Sequence, residues 1–596
     1  MFKLFGKLRP LEWLMVAGIV ALTVLQVYCT MTISDIIQSL ITAITNVYLK
    51  NNIDPAILPG LYPEAVNASA NDIWMNALWM LLMALACVAS QATVGFLAAI
   101  VTARWTGRIR TELNDKISHF SQAEIKKFSA ASLVTRVTND AQQIDFTCLL
   151  TMRMVFAAPI TAVWAVIKIG VVSTSLTWIA AGGIFIMIFF LVIAMALMIP
   201  KFRIVQKQID RVNAVTRENL SGIRVIRAYN AEEYQESKFA EANDALTKTQ
   251  LFTGRLGAMF NPVMIIVLDG VSLGIYWLGA YLSNTDASIN YASITKFMML
   301  ASQIIISFLM LLAMFIMWPR AAVCAKRINE VLETESSIKT PENPKEAVEK
   351  GTVRFDHVSF RYPDGSGNAI EDISFEAKEG ERVAFIGSTG CGKSTLINLV
   401  PRLYDVTEGT VYVDGVDVKE LGLQDLRDKV AVVPQKGILF KGSVMSNLAL
   451  GYPELSEEDA KASLKVACAD FVYEMEGGLQ AEISQGGKNV SGGQKQRLCI
   501  ARAVAAKPEI LVFDDSFSAL DYHTDKQVRE NLRKDCKGVT SLVVAQRIGT
   551  IMDADLIIVL ENGRAVGQGK HADLLQTCPV YREIALSQLS KEELGL

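Results

Sequence analysis

The chain has 596 residues, of which 51% are hydrophobic and 20% charged, and its formal net charge at pH 7 is −3. All eight tryptophans lie in the first 320 residues, whereas most of the charged side chains lie in the remainder. This division is typical of a membrane domain followed by a soluble domain, and it excludes a disordered chain and a dedicated nucleic-acid-binding protein. The nine cysteines show no CxxC spacing, so the sequence indicates neither a disulfide framework nor a zinc site.

Six apolar stretches in the first half predict membrane-spanning helices. About 20 apolar residues cross a bilayer as a helix, which also satisfies its own backbone hydrogen bonds. Lysine and arginine concentrate before the first stretch and in the second and fourth connecting segments, so both termini are predicted to lie on the cytoplasmic side of the lipid bilayer. The predicted spans, all within a membrane domain at 1–320, are 13–34, 73–103, 146–171, 176–200, 256–282 and 297–319.

The second and fourth connecting segments, 104–145 and 201–255, are long, charged and still helix-like. Joined to the spans that flank them, they predict helices of about 50 residues, about 75 Å long at 1.5 Å per residue. One interpretation of such charged segments is a solvated linker. The amphipathic stretches around Phe120–Leu133 and Leu220–Tyr229 favour a second interpretation, in which each segment docks onto a cytosolic domain.

A charged segment at 321–350 predicts a linker to a soluble domain at 351–596. Within that domain an apolar strand ends at Ile386, and a glycine-rich loop and a helix follow it. This order is the signature of a phosphate-binding loop, in which backbone N–H groups surround a triphosphate. We expect Lys393 to reach the β- and γ-phosphates and Ser394 to reach Mg²⁺. The loop residues are Gly387, Ser388, Thr389, Gly390, Cys391, Gly392, Lys393, Ser394 and Thr395.

Two further motifs follow the phosphate loop in the sequence. Asp514 stands directly after the apolar strand 510–513, where its carboxylate can support Mg²⁺ through water. The tetrad Ser491-Gly492-Gly493-Gln494 lies shortly before that strand and opens a predicted helix. Together these motifs indicate an α/β P-loop domain that binds a nucleotide.

The order of these motifs resembles that of an ATP-binding cassette. The phosphate loop is followed by Gln435, the tetrad, the Asp514 strand and Ser518-Ala519-Leu520-Asp521, as in that family. With six spans ahead of one cassette, the chain resembles an ABC half-transporter of the exporter type over essentially its whole length. The resemblance implies a membrane all-α domain, with six helices and long cytoplasmic extensions, fused to an α/β P-loop domain, and it implies ATP and Mg²⁺ as cofactors.

The resemblance also implies a role for each matching position. Tyr362 stacks on adenine, and Gln435 links Mg²⁺ to the contact with the membrane domain. The tetrad contacts the γ-phosphate of ATP held by the opposing cassette, because two cassettes enclose two ATP molecules head to tail, and Asp521 lies at their interface. Taken singly, such a tyrosine usually serves packing and such a glutamine is usually solvated, but their shared order favours the functional roles. The implied groups are Tyr362, the phosphate loop and Gln435 for ATP; Ser394, Gln435 and Asp514 for Mg²⁺; and Ser491, Gly492, Gly493, Gln494 and Asp521 for the partner's nucleotide.

Two positions depart from the family's pattern. Asp515 stands where an active cassette has a glutamate that orients or deprotonates the attacking water, and the missing methylene withdraws the carboxylate by about 1.5 Å. Gln546 stands where the family has a histidine, and an amide cannot carry a proton near neutral pH. Each substitution alone is compatible with slightly slower turnover. Because both fall in one nucleotide site, together they predict a site that binds ATP but hydrolyses it slowly or not at all.

The tetrad is intact, so the chain keeps what a partner's site needs while its own site is impaired. This combination predicts a heterodimer with a second half-transporter that carries the glutamate and the histidine. It resembles the degenerate-site subunit of bacterial heterodimeric multidrug exporters, which export hydrophobic or amphipathic small molecules across the plasma membrane by alternating access. The alternatives are a lipid or peptide transporter with the same machinery, and a regulatory ATP-binding subunit that tunes a partner.

Asp269 interrupts the fifth predicted span. A carboxylate within a membrane is costly, and such residues usually face a cavity or a partner. One hypothesis is that Asp269 lies on the substrate pathway and attracts lipophilic cations. The competing interpretations are a structural hydrogen bond and a position near the outer interface.

Overall fold

The structure, a computed structural model, divides into two compact units. The first comprises Met1–Asn114 and Val134–Glu333, and the second comprises Asp115–Leu133 and Thr334–Leu596. The first unit is helical and the second contains both helices and sheets, so the predicted all-α domain fused to an α/β domain is confirmed. The residues that the structure describes are 2–55, 57–172, 174–283 and 290–594.

Long helices dominate the first unit. The α-helices up to Glu333 are α1 Phe2–Phe5, α2 Pro10–Asn52, α3 Leu58–Leu61, α4 Ala70–Ser118, α5 Gln122–Phe128, α6 Ala130–Thr135, α7 Ala141–Leu150, α8 Ala157–Val172, α9 Thr174–Ser221, α10 Ile223–Ala228, α11 Glu232–Leu282 and α12 Tyr291–Glu333. Of these, α5, the end of α4 and most of α6 belong to the second unit. Helices α4, α9 and α11 have 49, 48 and 51 residues, so the prediction of helices about 50 residues long is confirmed. Two π-helical segments, Arg136–Asp140 and Thr151–Val155, separate α6, α7 and α8.

Several helices of this unit are long and apolar, and the bounds of the six membrane spans stay a prediction. Among the described residues, five helices are long and apolar enough to cross a membrane, and a shorter apolar helix, Leu176–Phe190, lies at the place of the fourth predicted span. Helix α12 continues to Glu333, so it occupies the beginning of the segment 321–350 where a linker was expected. The five helices are Pro10–Asn52, Ala70–Ser118, Ala130–Gly170, Glu232–Leu282 and Tyr291–Leu311.

A buried apolar cluster joins α2, α8 and α12. Met31 of α2 and Ile169 of α8 pack in this cluster with Phe297 of α12, and all three side chains are almost completely buried. Large side chains that interlock in this way hold membrane helices together through van der Waals contact, because lipid supplies no hydrophobic drive for helix association. The cluster fixes which faces of the three helices meet.

The second unit contains a six-stranded sheet in the order β12-β11-β3-β10-β9-β6 and a four-stranded antiparallel sheet in the order β2-β1-β4-β5. Five strands of the larger sheet pair in parallel, and β12 is an antiparallel edge. The strands are β1 Val353–Phe360, β2 Ile370–Ala377, β3 Arg382–Gly387, β4 Glu408–Val413, β5 Val416–Asp417, β6 Val430–Val433, β7 Gly442–Ser443, β8 Glu482–Ile483, β9 Ile510–Asp514, β10 Thr540–Val544, β11 Leu556–Glu561 and β12 Arg564–Gly569.

Apolar side chains cover both faces of the larger sheet. Along β3, Ala384 and Ile386 join one buried cluster, whereas Val383 and Phe385 join the other. A parallel sheet buried on both faces needs such a continuous apolar run, and it exposes the carboxyl ends of its strands at one edge. The helices of this unit are α13 Lys393–Leu399, α14 Leu423–Lys429, α15 Val444–Leu448, α16 Glu457–Val466, α17 Gly492–Ala505, α18 Tyr522–Asp535, α19 Ile548–Ile551, α20 His571–Thr577 and α21 Pro579–Gln588.

The segment Asp115–Leu133 belongs to the second unit although it lies between two membrane helices in the sequence. Helix α5 begins at a capping box, in which the Ser121 hydroxyl accepts a hydrogen bond from the Ala123 N–H at 3.1 Å. The Ser121 hydroxyl also lies 3.0 Å from that of Ser337, and Ala123 packs against a buried cluster of the sheet. The docking predicted for 120–133 is therefore confirmed.

The second amphipathic stretch has a different environment. Leu220 and Tyr229 are 71% and 80% exposed, so their apolar side chains have little cover within this chain. Docking of this stretch onto a cytosolic domain stays a prediction.

Candidate functional site

The glycine-rich loop follows β3 and leads into α13. At Gly387, φ is +152°, and a Cβ atom would lie 2.0 Å from the Leu560 carbonyl oxygen. At Gly392, φ is +99°, and a Cβ atom would lie 2.6 Å from the Ala369 carbonyl oxygen. Any side chain at these two positions would displace backbone, so the loop path requires glycine at both ends.

The Lys393 ammonium is held inside this loop. Its Nζ atom donates hydrogen bonds to the carbonyl oxygens of Gly387 at 2.8 Å and Ser388 at 2.7 Å. The buried Cys391 thiol lies 3.5 Å from the same atom. A cation placed by backbone carbonyls is oriented before an anion arrives, which reduces the entropy cost of binding a phosphate.

The Ser394 hydroxyl and the Asp514 carboxylate meet at the edge of the sheet. Ser394 donates a hydrogen bond to Asp514 Oδ1 at 2.7 Å, across the gap between α13 and the end of β9. Burial raises the pKa of Asp514, and the hydrogen bond from Ser394 partly opposes that rise. A hydroxyl and a carboxylate side by side fit Mg²⁺, which prefers oxygen ligands and completes its shell with phosphate oxygens and water.

The Asp515 carboxylate contacts side chains that follow the two strands on either side of its own strand. Its Oδ2 atom accepts a hydrogen bond from Gln546 Nε2 at 2.8 Å and a longer one from Gln435 Nε2 at 3.3 Å. Gln546 follows β10 and Gln435 follows β6, on either side of β9, which ends at Asp514. Burial raises the pKa of Asp515 as well. The two residues that depart from the family's pattern therefore contact each other.

Tyr362 stands at the side of the loop, where the resemblance places adenine. Its hydroxyl lies 3.0 Å from the Thr395 hydroxyl, and its ring meets the Tyr404 ring edge to face at 5.3 Å. The Lys126 ammonium lies 4.5 Å from the centre of the Tyr362 ring. The sequence did not identify Lys126, because nothing in its amphipathic segment indicates contact with a residue so far along the chain.

One cavity of about 300 Å³ is lined by most of the predicted ATP-binding residues, whereas Gly387, Ser388 and Cys391 of the phosphate loop do not line it. It lies at the carboxyl ends of the parallel strands, where ligands bind in open α/β sheets. The residues that line it are Tyr362, Ala369, Thr389, Gly390, Gly392, Lys393, Ser394, Thr395, Gln435, Asp514, Asp515, Val544 and Gln546.

The tetrad and Asp521 do not line this cavity. Ser491 caps α17: its hydroxyl accepts a hydrogen bond from the Gln494 N–H at 3.3 Å, and Gln494 Oε1 accepts one from the Ser491 N–H at 2.9 Å. Asp521 caps α18 by accepting a hydrogen bond from the Thr524 N–H at 3.0 Å. Ser491 and Asp521 are exposed, so both helix starts are rigid and open to a partner.

Comparison with known protein families shows which family the chain belongs to. The model of the ABC transporter transmembrane region matches residues 28–308, and the ABC transporter model matches residues 370–518. An uncharacterized ABC transporter ATP-binding protein of Mycobacterium tuberculosis (strain ATCC 25618 / H37Rv) is 40% identical over 492 residues, which cover 82% of this chain and 84% of that protein. The chain belongs to the ABC transporter family.

Other similar proteins extend the comparison. The uncharacterized ABC transporter ATP-binding protein YfiB of Bacillus subtilis is 33% identical over 521 residues, covering 87% of this chain and 90% of YfiB. An ATP-dependent lipid A-core flippase of Chromohalobacter salexigens is 32% identical over 411 residues, covering 66% and 67%. The structure of a bacterial Atm1-family ABC exporter with ATP bound matches with a TM-score of 0.74 at 22% identity, covering 96% and 97%. This chain is thus an ABC exporter half-transporter with an Atm1-type fold.

As an ABC transporter, the chain binds ATP in its cassette and takes part in ATP-driven transport across a membrane. Lys393 lies within the phosphate loop, and Ser394 and Asp514 are the hydroxyl and carboxylate that would hold Mg²⁺. Mg²⁺ supplies charge neutralisation of the phosphates when it is bound. Within the cavity, Asp515 is the acidic side chain next to Ser394 and Asp514, and the amides of Gln435 and Gln546 both donate hydrogen bonds to its Oδ2 atom.

Proposed function

We propose that this chain is one half of a heterodimeric exporter of hydrophobic or amphipathic compounds. Its own ATP site binds nucleotide but hydrolyses it slowly or not at all, while its tetrad completes a competent site on a partner half-transporter. The partner carries a glutamate and a histidine at the positions of Asp515 and Gln546. The assembly lies in a bacterial plasma membrane with its termini and cassettes in the cytoplasm.

The contact between Asp515 and Gln546 carries this proposal. A residue that orients or deprotonates water needs a carboxylate oxygen directed at that water, at hydrogen-bond distance. Here Asp515 has the shorter side chain, and its Oδ2 atom accepts hydrogen bonds from two amides. Gln546 donates from an amide that does not ionise near neutral pH and so cannot act as a general acid or base. The pair therefore favours a stable polar contact over proton transfer.

The intact tetrad supports the heterodimer. Ser491 and Gln494 hold each other in a reciprocal cap, so the start of α17 has a defined geometry without any nucleotide. This geometry contributes nothing to the chain's own cavity, which the tetrad does not line. A homodimer would pair each intact tetrad with an impaired site, whereas a heterodimer pairs it with a competent one.

The test is to restore the two missing groups. We expect the full-length chain, purified alone, to bind ATP with little hydrolysis. The double variant Asp515→Glu/Gln546→His should raise the hydrolysis rate by about tenfold or more, because a positioned general base contributes about 10²–10⁴-fold to such reactions. The rate is measured as phosphate release in detergent or lipid discs.

The matched control combines the same repair with Lys393→Ala, which removes the phosphate-binding ammonium. Hydrolysis that persists in this triple variant is contamination. Brisk hydrolysis by the unaltered chain alone, sensitive to Lys393→Ala, would overturn the impaired-site proposal and leave a competent homodimer.

Lipid export is the second candidate function. It is favoured by the 32% identity to a protein named as an ATP-dependent lipid A-core flippase. Peptide export uses the same machinery, and a regulatory subunit would bind ATP without any transported substrate. Transport assays with the heterodimer in vesicles separate the export candidates, because a labelled lipid, a labelled peptide and a hydrophobic dye are each moved by a different class of exporter.

Asp269 remains our proposed residue of the substrate pathway. It lies in α11, is exposed within this chain, and shares an exposed face with the apolar side chains of Ile266 and Leu273. A carboxylate on an apolar membrane face needs water, a partner or a substrate to stabilise it. In the vesicle assay, Asp269→Asn should slow export of a cationic dye and leave a neutral dye unchanged; equal effects on both dyes would refute cation selection.

A further inference from the structure

Three charged side chains meet inside the membrane domain, on α2, α8 and α12. Asp35 accepts a hydrogen bond from the Lys168 ammonium, and the Lys296 ammonium lies 2.7 Å from Asp35 Oδ1. Lys168 also lies 3.3 Å from the Met31 carbonyl oxygen. We call Asp35, Lys168 and Lys296 the charged triad.

The charged triad carries one more positive than negative charge. In the described part of the chain, the ion pairs of both lysines are to the same carboxylate. The side chains of Lys168 and Lys296 are 23% and 15% exposed, so much of the water that would stabilise the second ammonium has been removed. Charges within membrane proteins are stabilised by pairing, because their desolvation is costly. A second anion would neutralise the remaining positive charge of the charged triad.

The surroundings of the charged triad are apolar. Met31 and Ile169, which each lie close in sequence to one member, belong to the buried cluster that joins the three helices, and Phe297 follows Lys296 directly. Asp35 is the most open member, with 39% of its side chain exposed, so the group is accessible from one side. Positively charged side chains next to apolar ones suit an amphipathic molecule with an anionic head group and an apolar tail.

The position along the helices agrees with release of such a molecule. Lys168 lies near the end of α8, and Lys296 lies near the start of α12. In the orientation that we propose, both of these helix ends face the outside of the cell. An exporter delivers the polar head of an amphipathic molecule to this side.

We propose that Lys168 and Lys296 form a binding site for the phosphate or other anionic head of an amphipathic molecule, and that Asp35 pairs with them when the site is empty. This inference rests on the proposed export function and names the class of its substrate. Asp35 competes with the ligand for the two ammonium groups. That competition separates a binding site from a simple structural ion pair, in which Asp35 would only stabilise the fold.

The experiment measures binding to the full-length chain in lipid discs of phosphatidylcholine. The probes are a pyrene-labelled alkyl phosphate and the uncharged pyrene-labelled alcohol of the same chain length, followed by energy transfer from tryptophan. We expect Lys168→Gln/Lys296→Gln to weaken binding of the phosphate by about tenfold or more and to leave the alcohol unchanged, because only the phosphate makes charge-assisted hydrogen bonds. Lys207→Gln, an exposed lysine of α9, is the matched control.

The direction in which Asp35→Asn changes phosphate affinity distinguishes a binding site from a structural ion pair. It removes the competing carboxylate, so phosphate binding should tighten several-fold while alcohol binding stays constant. ATP affinity and the thermal unfolding midpoint of each variant report whether it has folded. Equal phosphate affinity in the double lysine variant and the unaltered chain, or weaker binding by a folded Asp35→Asn variant, would overturn the proposal.

Added phosphatidylglycerol distinguishes two sources of the anion. Displacement of the labelled phosphate by this lipid supports the site and assigns it to anionic lipid of the bilayer. Binding that phosphatidylglycerol does not displace supports the site and assigns it to a separate amphipathic substrate. The measurement involves neither hydrolysis nor transport, so its failure would leave the proposed heterodimeric exporter standing.

Discussion

The cavity that holds this chain's own nucleotide and the surface that the chain offers to a partner differ in how far they follow the family's pattern. In the cavity, Asp515 and Gln546 replace two reactive groups and contact each other. On the surface, Ser491 and Gln494 keep the expected residues in a rigid cap. The difference teaches that ATP binding and ATP hydrolysis place separate requirements on a site, since the cavity keeps the residues that we propose bind ATP, whereas the two positions that we assign to hydrolysis depart from the family's pattern.

Removing the Lys393 ammonium should have the largest effect of the variants compared, because it should weaken ATP binding in the chain's own cavity. Lys393→Ala deletes an ammonium that two carbonyls place inside the phosphate loop. We expect this ammonium to donate hydrogen bonds to the β- and γ-phosphates. Hydrogen bonds to charged groups contribute about 1.5–3 kcal/mol each, so losing these two should weaken ATP binding by about 100-fold or more. The measurement is the Kd for a fluorescent ATP analogue with the purified chain.

Lys436→Ala is the control for Lys393→Ala, since Lys436 is an exposed lysine of the same domain that does not line the cavity. It should leave the Kd unchanged. An unchanged Kd for Lys393→Ala would show that the phosphates bind elsewhere, and it would remove the basis for treating the cavity as a binding site.

Two variants compare the contributions of the tetrad and of the chain's own cavity to ATP hydrolysis. In the assembled heterodimer, Ser491→Ala should lower ATP hydrolysis by about tenfold, because it removes the tetrad hydroxyl that we assign to the partner's competent site. Asp515→Asn changes the chain's own site, which we propose is impaired, so it should lower hydrolysis less than about twofold. The measurement is phosphate release by both variants at equal heterodimer concentration.

The two variants are controls for each other, since each alters one side chain of this chain and leaves the other region intact. The ATP affinity of the purified chain should be the same for Ser491→Ala and the unaltered protein, because Ser491 does not line the cavity. A larger loss for Asp515→Asn than for Ser491→Ala would reverse our assignment of the two regions.

How much of this site was predictable depends on the sequence distance between its parts. The phosphate loop was predictable because a strand, a loop and a helix follow each other directly around Lys393. The contact of Asp515 with Gln546 and Gln435 joins three strands, and only the order of family motifs indicated it. Lys126 could not be found in this way, because its contact with Tyr362 depends on how a membrane-domain connector docks on the sheet.

The membrane domain shows the same limit. The apolar stretches predicted where the helices lie, since a helix that crosses lipid needs a continuous apolar sequence. The charged triad was not predicted, because Asp35, Lys168 and Lys296 belong to three different helices whose facing sides depend on packing. Periodicity describes one helix at a time and contains no information on which neighbours it meets.

Acidification should weaken Mg²⁺-dependent ATP binding in the cavity by a smaller amount than the loss of Lys393. Burial raises the pKa of Asp514, so this carboxylate takes up a proton at a higher pH than an ordinary aspartate does. As pH falls toward that pKa, the neutral form increases and loses its attraction for Mg²⁺. We expect about threefold weaker Mg²⁺-dependent ATP binding at pH 5.5 than at pH 7.5, measured with and without Mg²⁺. Asp514→Asn should abolish this part of the pH dependence, and an equal slope in that variant would assign the effect to another group.

The smallest expected effect tests whether the connector segment adjusts the cavity. The Lys126 ammonium lies over the Tyr362 ring, the surface that we assign to adenine, and an exposed cation–π contact contributes about 0.5–1 kcal/mol. Lys126→Gln frees the ring, so ATP should bind about two- to fivefold more tightly if the ammonium competes with adenine. In a Tyr362→Ala background the same substitution should have no effect, which a double-mutant cycle of Kd values measures. Weaker binding on Lys126→Gln in both backgrounds would instead show that the ammonium contacts the nucleotide itself.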